Sequence, residues 1–277
     1  MQLLPYASLA LAHLALLMQQ RVPALVLLVI SLVLGFSFGR IDVLGFVGLA
    51  FFAGFSYCWK NPRLLKWQNA LAGFFVFVMA MLLLSHRVPG FMNWKYLDTY
   101  QFSPSALPFT LFLNLDKPFI FTVLFFFYSL TNQTSLHMGK TIARYTLISA
   151  LILLAPALIA SYIIFEPKWD VNIIVWAVNN FFFVCAAEEM LFRGFIQTEL
   201  EKITKKPLIA LIIASILFGL VHFAGGAVYV GLAMMAGLVY GISYQKTGRI
   251  IVPMTVHFLV NLLHILLFTY PALKGSL

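Results

Sequence analysis

Ten apolar runs, divided by short connections that hold most of the charge, set the pattern of this chain. They lie near residues 3–19, 22–39, 41–59, 68–86, 118–131, 143–165, 171–192, 207–223, 227–245 and 250–270. A helix needs about 20 apolar residues to cross a bilayer. The first and fifth runs are short, so the pattern predicts eight to ten membrane helices. Membrane strands would alternate apolar and polar positions, which these runs do not, and helices satisfy their own backbone groups in lipid. The predicted fold class is all-α: a polytopic transmembrane helical bundle.

Composition strengthens this reading. The chain is 62% hydrophobic and 10% charged, with a mean hydropathy of +0.96, whereas about 25% of residues are charged in a soluble domain. An ordinary soluble protein is excluded. The net charge of +9 would suit a nucleic-acid partner, but its placement does not. With ten spans, one set of connections carries twelve Lys and Arg residues. The other set carries only Arg40, Arg87, Lys95, Lys117, Lys168 and Lys274. That is a positive-inside asymmetry, which predicts a multi-pass protein of the cell (inner) membrane with both termini outside. The implied partner is the lipid bilayer, with no nucleic acid.

The N-terminus lacks the basic start and small-residue cleavage site of a removable signal peptide, so the first span is expected to be retained. Cys58 and Cys185 both fall in apolar runs and read as small core residues rather than a disulfide framework.

No internal repeat or low-complexity linker divides the chain, yet its character changes. Residues 1–142 are aromatic and aliphatic spans with a nearly apolar interior and read as an N-terminal scaffold. Residues 143–277 hold every cluster of chemically competent groups. The longest connection, Arg87 to Lys117, carries Phe91, Trp94, Tyr96, Tyr100, Phe102 and Phe109, an aromatic content suited to a membrane interface.

Seven of the nine acidic residues fall in or beside connections. The other two, Glu188 and Glu189, sit side by side near the end of an apolar run. An ionisable group in lipid costs roughly 2.5–3.5 kcal/mol on insertion scales, so one that persists is a functional hypothesis. Like charges side by side also resist ionising together. Something must compensate them. Arg193 lies one helical turn beyond Glu189 and shares its face, while Glu188 points about 100° away and is left for another task. Two further patterns follow: Phe218-Gly-Leu-Val-His222, and His257-Phe-Leu-Val-Asn261 with His264 three residues on.

If helix continues past Arg193 to about Lys202 and turns near Lys205-Lys206-Pro207, Glu188 and His222 lie level. Asn261 then sits about 18 Å into the last helix from Arg249, at 1.5 Å per residue. Each piece alone has a structural reading: an intramembrane ion pair, a core histidine, or polar contacts between helices worth about 0.6–2 kcal/mol. Together, two carboxylates, an arginine, two histidines and an amide in three neighbouring spans are better explained as a site.

The residues resemble the CPBP family of intramembrane proteases, named for CAAX prenyl proteases and bacteriocin-processing enzymes and also called Abi. Its pattern is Glu-Glu-x-x-x-Arg, then Phe-x-x-x-His, then His-x-x-x-Asn or Asp. Here it is complete at Glu188, Glu189, Arg193, Phe218, His222, His257 and Asn261. The similarity extends to Gly194-Phe195 and to the small-residue run Ala233 to Gly241, and it covers about residues 171–270. It implies a glutamate-type peptidase without an obligatory metal or other cofactor, acting on a membrane-associated peptide or protein. By that analogy Glu188 and His222 activate a water, His257 and Asn261 stabilise the oxyanion, and Glu189 with Arg193 supports the site beside Phe218. Apolar surroundings strengthen a carboxylate as a base, and preorganised donors in a dry cavity stabilise an oxyanion.

Two other classes stay open. A zinc-dependent membrane metalloprotease could use the same His and Glu groups, although no His-Glu-x-x-His helix is present and Asn is a poor zinc ligand. A non-enzymatic scaffold, immunity protein or transporter is the other; a transporter would show broken helices or inverted repeats.

Overall fold

The computed structural model describes residues 1–59, 61–127 and 138–276. Lys60, one of the connection charges counted above, and residues 128–131 of the fifth run lie outside them. Each of the ten apolar runs holds a helix: α1 (Leu4–Leu17), α2 (Arg21–Ser37), α3 (Val43–Trp59), α4 (Lys66–Leu84), α5 (Pro118–Phe127), α6 (Met138–Ile159), α7 (Asn172–Thr204), α8 (Pro207–Leu220), α9 (Gly226–Thr247) and α10 (Ile251–Leu267). The protein is a helical bundle, as the apolar pattern predicts. By length and composition four helical segments can cross a membrane: Lys66–Leu84, Met138–Ile159, Asn172–Thr204 and Phe223–Thr247. The other six helices are apolar but shorter. Large aliphatic side chains such as Leu25, Val29 and Val33 on α2, Leu147 and Leu151 on α6, and Ile212 and Ile216 on α8 are exposed. Such faces suit lipid rather than water, and they identify an integral membrane protein.

The helix ends follow local chemistry. Pro207 opens α8, where its missing N–H costs nothing. Before it, Lys205 at φ 57° stops α7, so the helix does run past Arg193 and turn at Lys205-Lys206-Pro207. Gly248, at φ 63°, ends α9 and donates its N–H to the Tyr244 carbonyl. A residue without Cβ adopts that left-handed conformation at no steric cost.

The long connection before α5 holds two short strands, β1 (Trp94–Tyr100) and β2 (Phe109–Leu113), paired as a two-stranded sheet. The apolar-run pattern did not anticipate them, because they are interrupted by polar residues and too short to register as runs.

The chain divides into two units. The first comprises Met1–Tyr96, Phe112–Ser129 and Phe182–Leu191. Here α1 packs on α2, α3 on α4, and α5 contacts α1, α3 and α4. Leu9, Leu16, Phe52, Val76, Leu83, Ile120 and Phe121 form its buried interior. Ser31 of α2 donates to the Pro5 carbonyl of α1 at 2.8 Å, the kind of interhelical polar contact that lipid favours. Buried His13 of α1 bonds Thr122 of α5 at 2.8 Å and the Phe182 carbonyl at 2.9 Å. The second unit comprises Leu97–Leu111, Leu130–Phe181 and Phe192–Leu277. In it α8 packs on α9, and α6, α9 and α10 pack on one another. A cluster of Ala157, Tyr162, Ile163, Phe268 and Ala272 seals the end of α6 against the C-terminal segment.

Candidate active site

The residues singled out above start on α7, whose apolar stretch is the most buried among the four long segments. Its hydrogen bonding is not uniform. Residues Asn180–Cys185 and Met190–Gln197 are π-helical, and between them lies one short α-helical turn, Ala186–Glu189. A π turn spends one extra residue per turn and shifts the faces that follow it, and such turns are frequent at functional positions. Glu188 and Glu189 occupy the α-helical step between two of them.

In the first unit, Glu188 is 4% exposed and Glu189 fully buried. The Lys117 ammonium stands 2.7 Å from Glu188 Oε1. Lys117 is 71 residues away in sequence and was read only as a connection charge. Asp116 fixes its backbone: Oδ1 accepts the Lys117 N–H at 2.8 Å, while Oδ2 meets His86 Nδ1 at 2.8 Å and accepts from Asn93 Nδ2 at 3.3 Å. Cys185, one turn before Glu188 and Glu189, is buried and within electrostatic reach of both and of Lys117.

In the second unit, Phe218 of α8 is the hub. The Arg193 guanidinium carbon lies 4.4 Å from its ring centroid and 5.6 Å from that of Tyr240. The rings of Phe192, His222 and His257 stand 5.1, 4.9 and 5.9 Å from the same ring. Tyr240 stacks on His257 at 4.8 Å with 21° between the planes. Arg193, only 1% exposed, donates from Nη2 to the Gly237 carbonyl at 3.1 Å. One turn further along α7, Gln197 donates to the Gly241 carbonyl at 3.2 Å. These backbone oxygens are reachable because the α9 face is stripped of side chains. A Cβ on Gly237 would come within 2.9 Å of Ser215 Cα on α8, and one on Gly241 within 2.7 Å of Gln197 Oε1. The small-residue run Ala233 to Gly241 therefore serves as a close-packing surface.

His222 sits just past the end of α8, with Nδ1 2.7 Å from the Phe218 carbonyl. A carbonyl only accepts, so Nδ1 carries hydrogen and, in the neutral ring, Nε2 is left with a lone pair. That tautomer is the one a proton acceptor needs. Asn261 of α10 lies one turn beyond His257 and donates from Nδ2 to Asn180 Oδ1 at 3.3 Å. His264 is engaged by its own helix end, with Nε2 3.0 Å from the Thr269 carbonyl.

Of the residues read from sequence, the second unit brings together Arg193, Phe218, His222 and His257, with Asn261 on the next turn of α10. Glu188 and Glu189 belong to the first unit, beside Lys117. Sequence reading missed Lys117, Gln197, Tyr240 and Asn180. Asn179-Asn180 was visible as a polar pair inside an apolar run, and Tyr240 lies in the small-residue run; Lys117 had no local signal. Among the described residues no three His, Cys, Asp or Glu side chains gather in a group able to hold a metal ion.

Fold and site together define an integral membrane protein whose chemical groups lie on α7, α8 and α10. Residues 170–263 match the family described as Rce1-like, type II CAAX prenyl endopeptidase Rce1-like. That segment holds all seven motif residues, in agreement with the CPBP resemblance. The chain is also similar to two proteins of Bacillus subtilis. Uncharacterized protein YpbD is 35% identical over 80 residues, 28% of this chain and 38% of that protein. Uncharacterized protein YyaK is 36% identical over 83 residues, 28% of this chain and 28% of that protein. The likeness thus spans well under half of either relative. No solved structure matches the chain.

Proposed function

We propose that this protein is a glutamate-type intramembrane endopeptidase that hydrolyses a peptide bond in a membrane-associated protein or peptide. The observation that carries this reading is the coincidence of the Rce1-like match, residues 170–263, with the complete ordered motif from Glu188 to Asn261. Supporting it, the tautomer of His222 leaves Nε2 able to accept a proton. Glu188, with His222, takes a proton from water as its oxygen bonds to the scissile carbonyl carbon. His257 and Asn261 donate to the resulting oxyanion. The C–N bond then breaks and the proton passes to the departing amine. Glu189 and Arg193 support the site without touching the reacting atoms. Residues 143–277 are the protease region on this reading and residues 1–142 its scaffold. The charge asymmetry supports an orientation with both termini outside the cell membrane.

The test is cleavage by the purified protein in lipid nanodiscs. The family's description points to prenylated CAAX peptides as one probe; a quenched-fluorescence transmembrane peptide without a prenyl group is the other. Wild-type turnover that vanishes in a folded Glu188→Ala protein supports the proposal. Equal turnover in the two proteins removes it.

A further inference from the structure

Lys117 lies outside the motif and outside the matched segment, yet its ammonium is the group 2.7 Å from Glu188 Oε1. Both side chains are nearly removed from solvent, at 13% and 6% exposure. Taking a carboxylate and an ammonium out of water costs several kcal/mol each, and an arrangement of that cost persists only with good geometry and further hydrogen bonds.

The geometry here is held from behind. Lys117 precedes the first turn of α5, and Pro118 next to it fixes the entry into the helix. Asp116, 1% exposed, ties down the Lys117 amide and is itself held by His86 and Asn93. Across from it, α5 packs against the α-helical turn that carries Glu188. The ionisable groups on that turn and just before it are Glu188, Glu189 and Cys185, and those leading into α5 are Asp116 and Lys117. Lys117 alone among them carries positive charge. Two adjacent buried carboxylates oppose each other's ionisation, and a cation on one of them resolves that conflict in favour of the one it touches.

We propose that Lys117 is a positioning residue for Glu188: it keeps that carboxylate charged and presents its oxygen in one orientation. The inference rests on the reading of Glu188 as the base. In kinetic terms, a base held in place acts on the chemical step, so loss of Lys117 lowers kcat by about 10²-fold with KM little changed. Lys117→Arg retains the positive charge and N–H donors beside Glu188 and recovers most of it.

Two measurements judge the proposal. The first compares kcat and KM for wild type, Lys117→Met and Lys117→Arg on the prenylated and unprenylated peptides named above, with Glu188→Gln as control. A kcat loss in Lys117→Met that Lys117→Arg repairs supports the proposal, and wild-type kcat in Lys117→Met overturns it. The second needs no activity. Infrared spectra of the same proteins in nanodiscs should show a protonated carboxylic acid band in Lys117→Met that is weak in wild type and lost in Lys117→Met/Glu188→Gln. Absence of that band overturns the proposal. If Glu188→Gln remains active or no peptide is cleaved, the protease reading fails, and the infrared comparison still decides whether Lys117 sets the charge on Glu188.

Discussion

Arg193 offers the sharpest test of what the second unit is built on. It is buried to 1% exposure, lies 4.4 Å over Phe218, and bonds the Gly237 carbonyl. A desolvated cation–π contact is worth about 2 kcal/mol or more, and a hydrogen bond to a charged group about 1.5–3 kcal/mol. Truncation to alanine also leaves a cavity among Phe192, Phe218 and Tyr240. The expected cost of Arg193→Ala is therefore about 3–5 kcal/mol, the range seen when one member of a buried charged network is removed. At about 2–4 °C per kcal/mol for a chain of this size class, the melting midpoint should fall by roughly 6–20 °C. Arg193→Lys keeps the charge but loses the plane that lies over Phe218, so it should fall by roughly half as much. The assay is tryptophan-fluorescence melting in nanodiscs at one fixed scan rate, since membrane proteins unfold irreversibly and the midpoint is then operational. An Arg193→Ala protein that melts within about 2 °C of wild type would refute the argument, because it would mean that the guanidinium carries no net stabilisation.

Glu188→Gln should abolish turnover while leaving the protein folded and membrane-inserted, whereas Glu189→Gln should lower stability as well as activity; retained proteolysis in folded Glu188→Gln protein rejects the proposed mechanism. Dialysis against a strong chelator should leave activity intact and zinc substoichiometric, and stoichiometric zinc with chelator-sensitive activity restored by metal would move the assignment to a metalloprotease. Asn261→Ala should lower kcat by about 10²–10³-fold with little change in KM; a loss of thermal stability alone, with kcat intact, would make its bond to Asn180 purely structural. At the connection outside the spans, the Tyr100 hydroxyl donates to Asp170, and that bond first of all holds the Asp170 carboxyl below its ordinary range and the Tyr100 hydroxyl above its own. The contact thus contributes above the ordinary carboxylate range, is lost as pH falls through the lowered Asp170 value, and is lost again as pH rises through the raised Tyr100 value; Tyr100→Phe should flatten both limbs of a melting-midpoint profile against pH, and an unchanged profile counts against it.

The helices were legible because lipid imposes one rule along the whole chain: long apolar runs with polar ends. Within that rule, Pro207 and Gly248 mark helix ends by their backbone chemistry, and both lie where the runs break. The hairpin of β1 and β2 was not legible in the same way. Trp94, Tyr96 and Tyr100 are strand formers, but the same aromatics suit a membrane interface, and side-chain type alone does not separate the two readings. The π-helical stretches of α7 were equally silent, since one extra residue in a turn leaves an all-apolar sequence looking unchanged.

The site divides along a different line. Glu189 and Arg193, Phe218 and His222, and His257 and Asn261 are each four residues apart, and helix geometry makes that spacing visible in sequence. Contacts that join distant segments have no such signature: 71 residues separate Lys117 from Glu188, 81 separate Asn180 from Asn261, and 44 separate Arg193 from Gly237. What could be sought in advance is the need rather than the partner. A carboxylate pair in an apolar run demands positive charge, and the motif supplies one arginine for two glutamates. That imbalance leaves one carboxyl to be met either by a proton or by a cation from another segment, and the motif spacing does not say which. Most of the 18 Lys and Arg residues lie in the connections of the set read as inside. Among the six in the other set, Lys117 is the one next to a proline that opens an apolar helix, and its ammonium lies 2.7 Å from Glu188 Oε1.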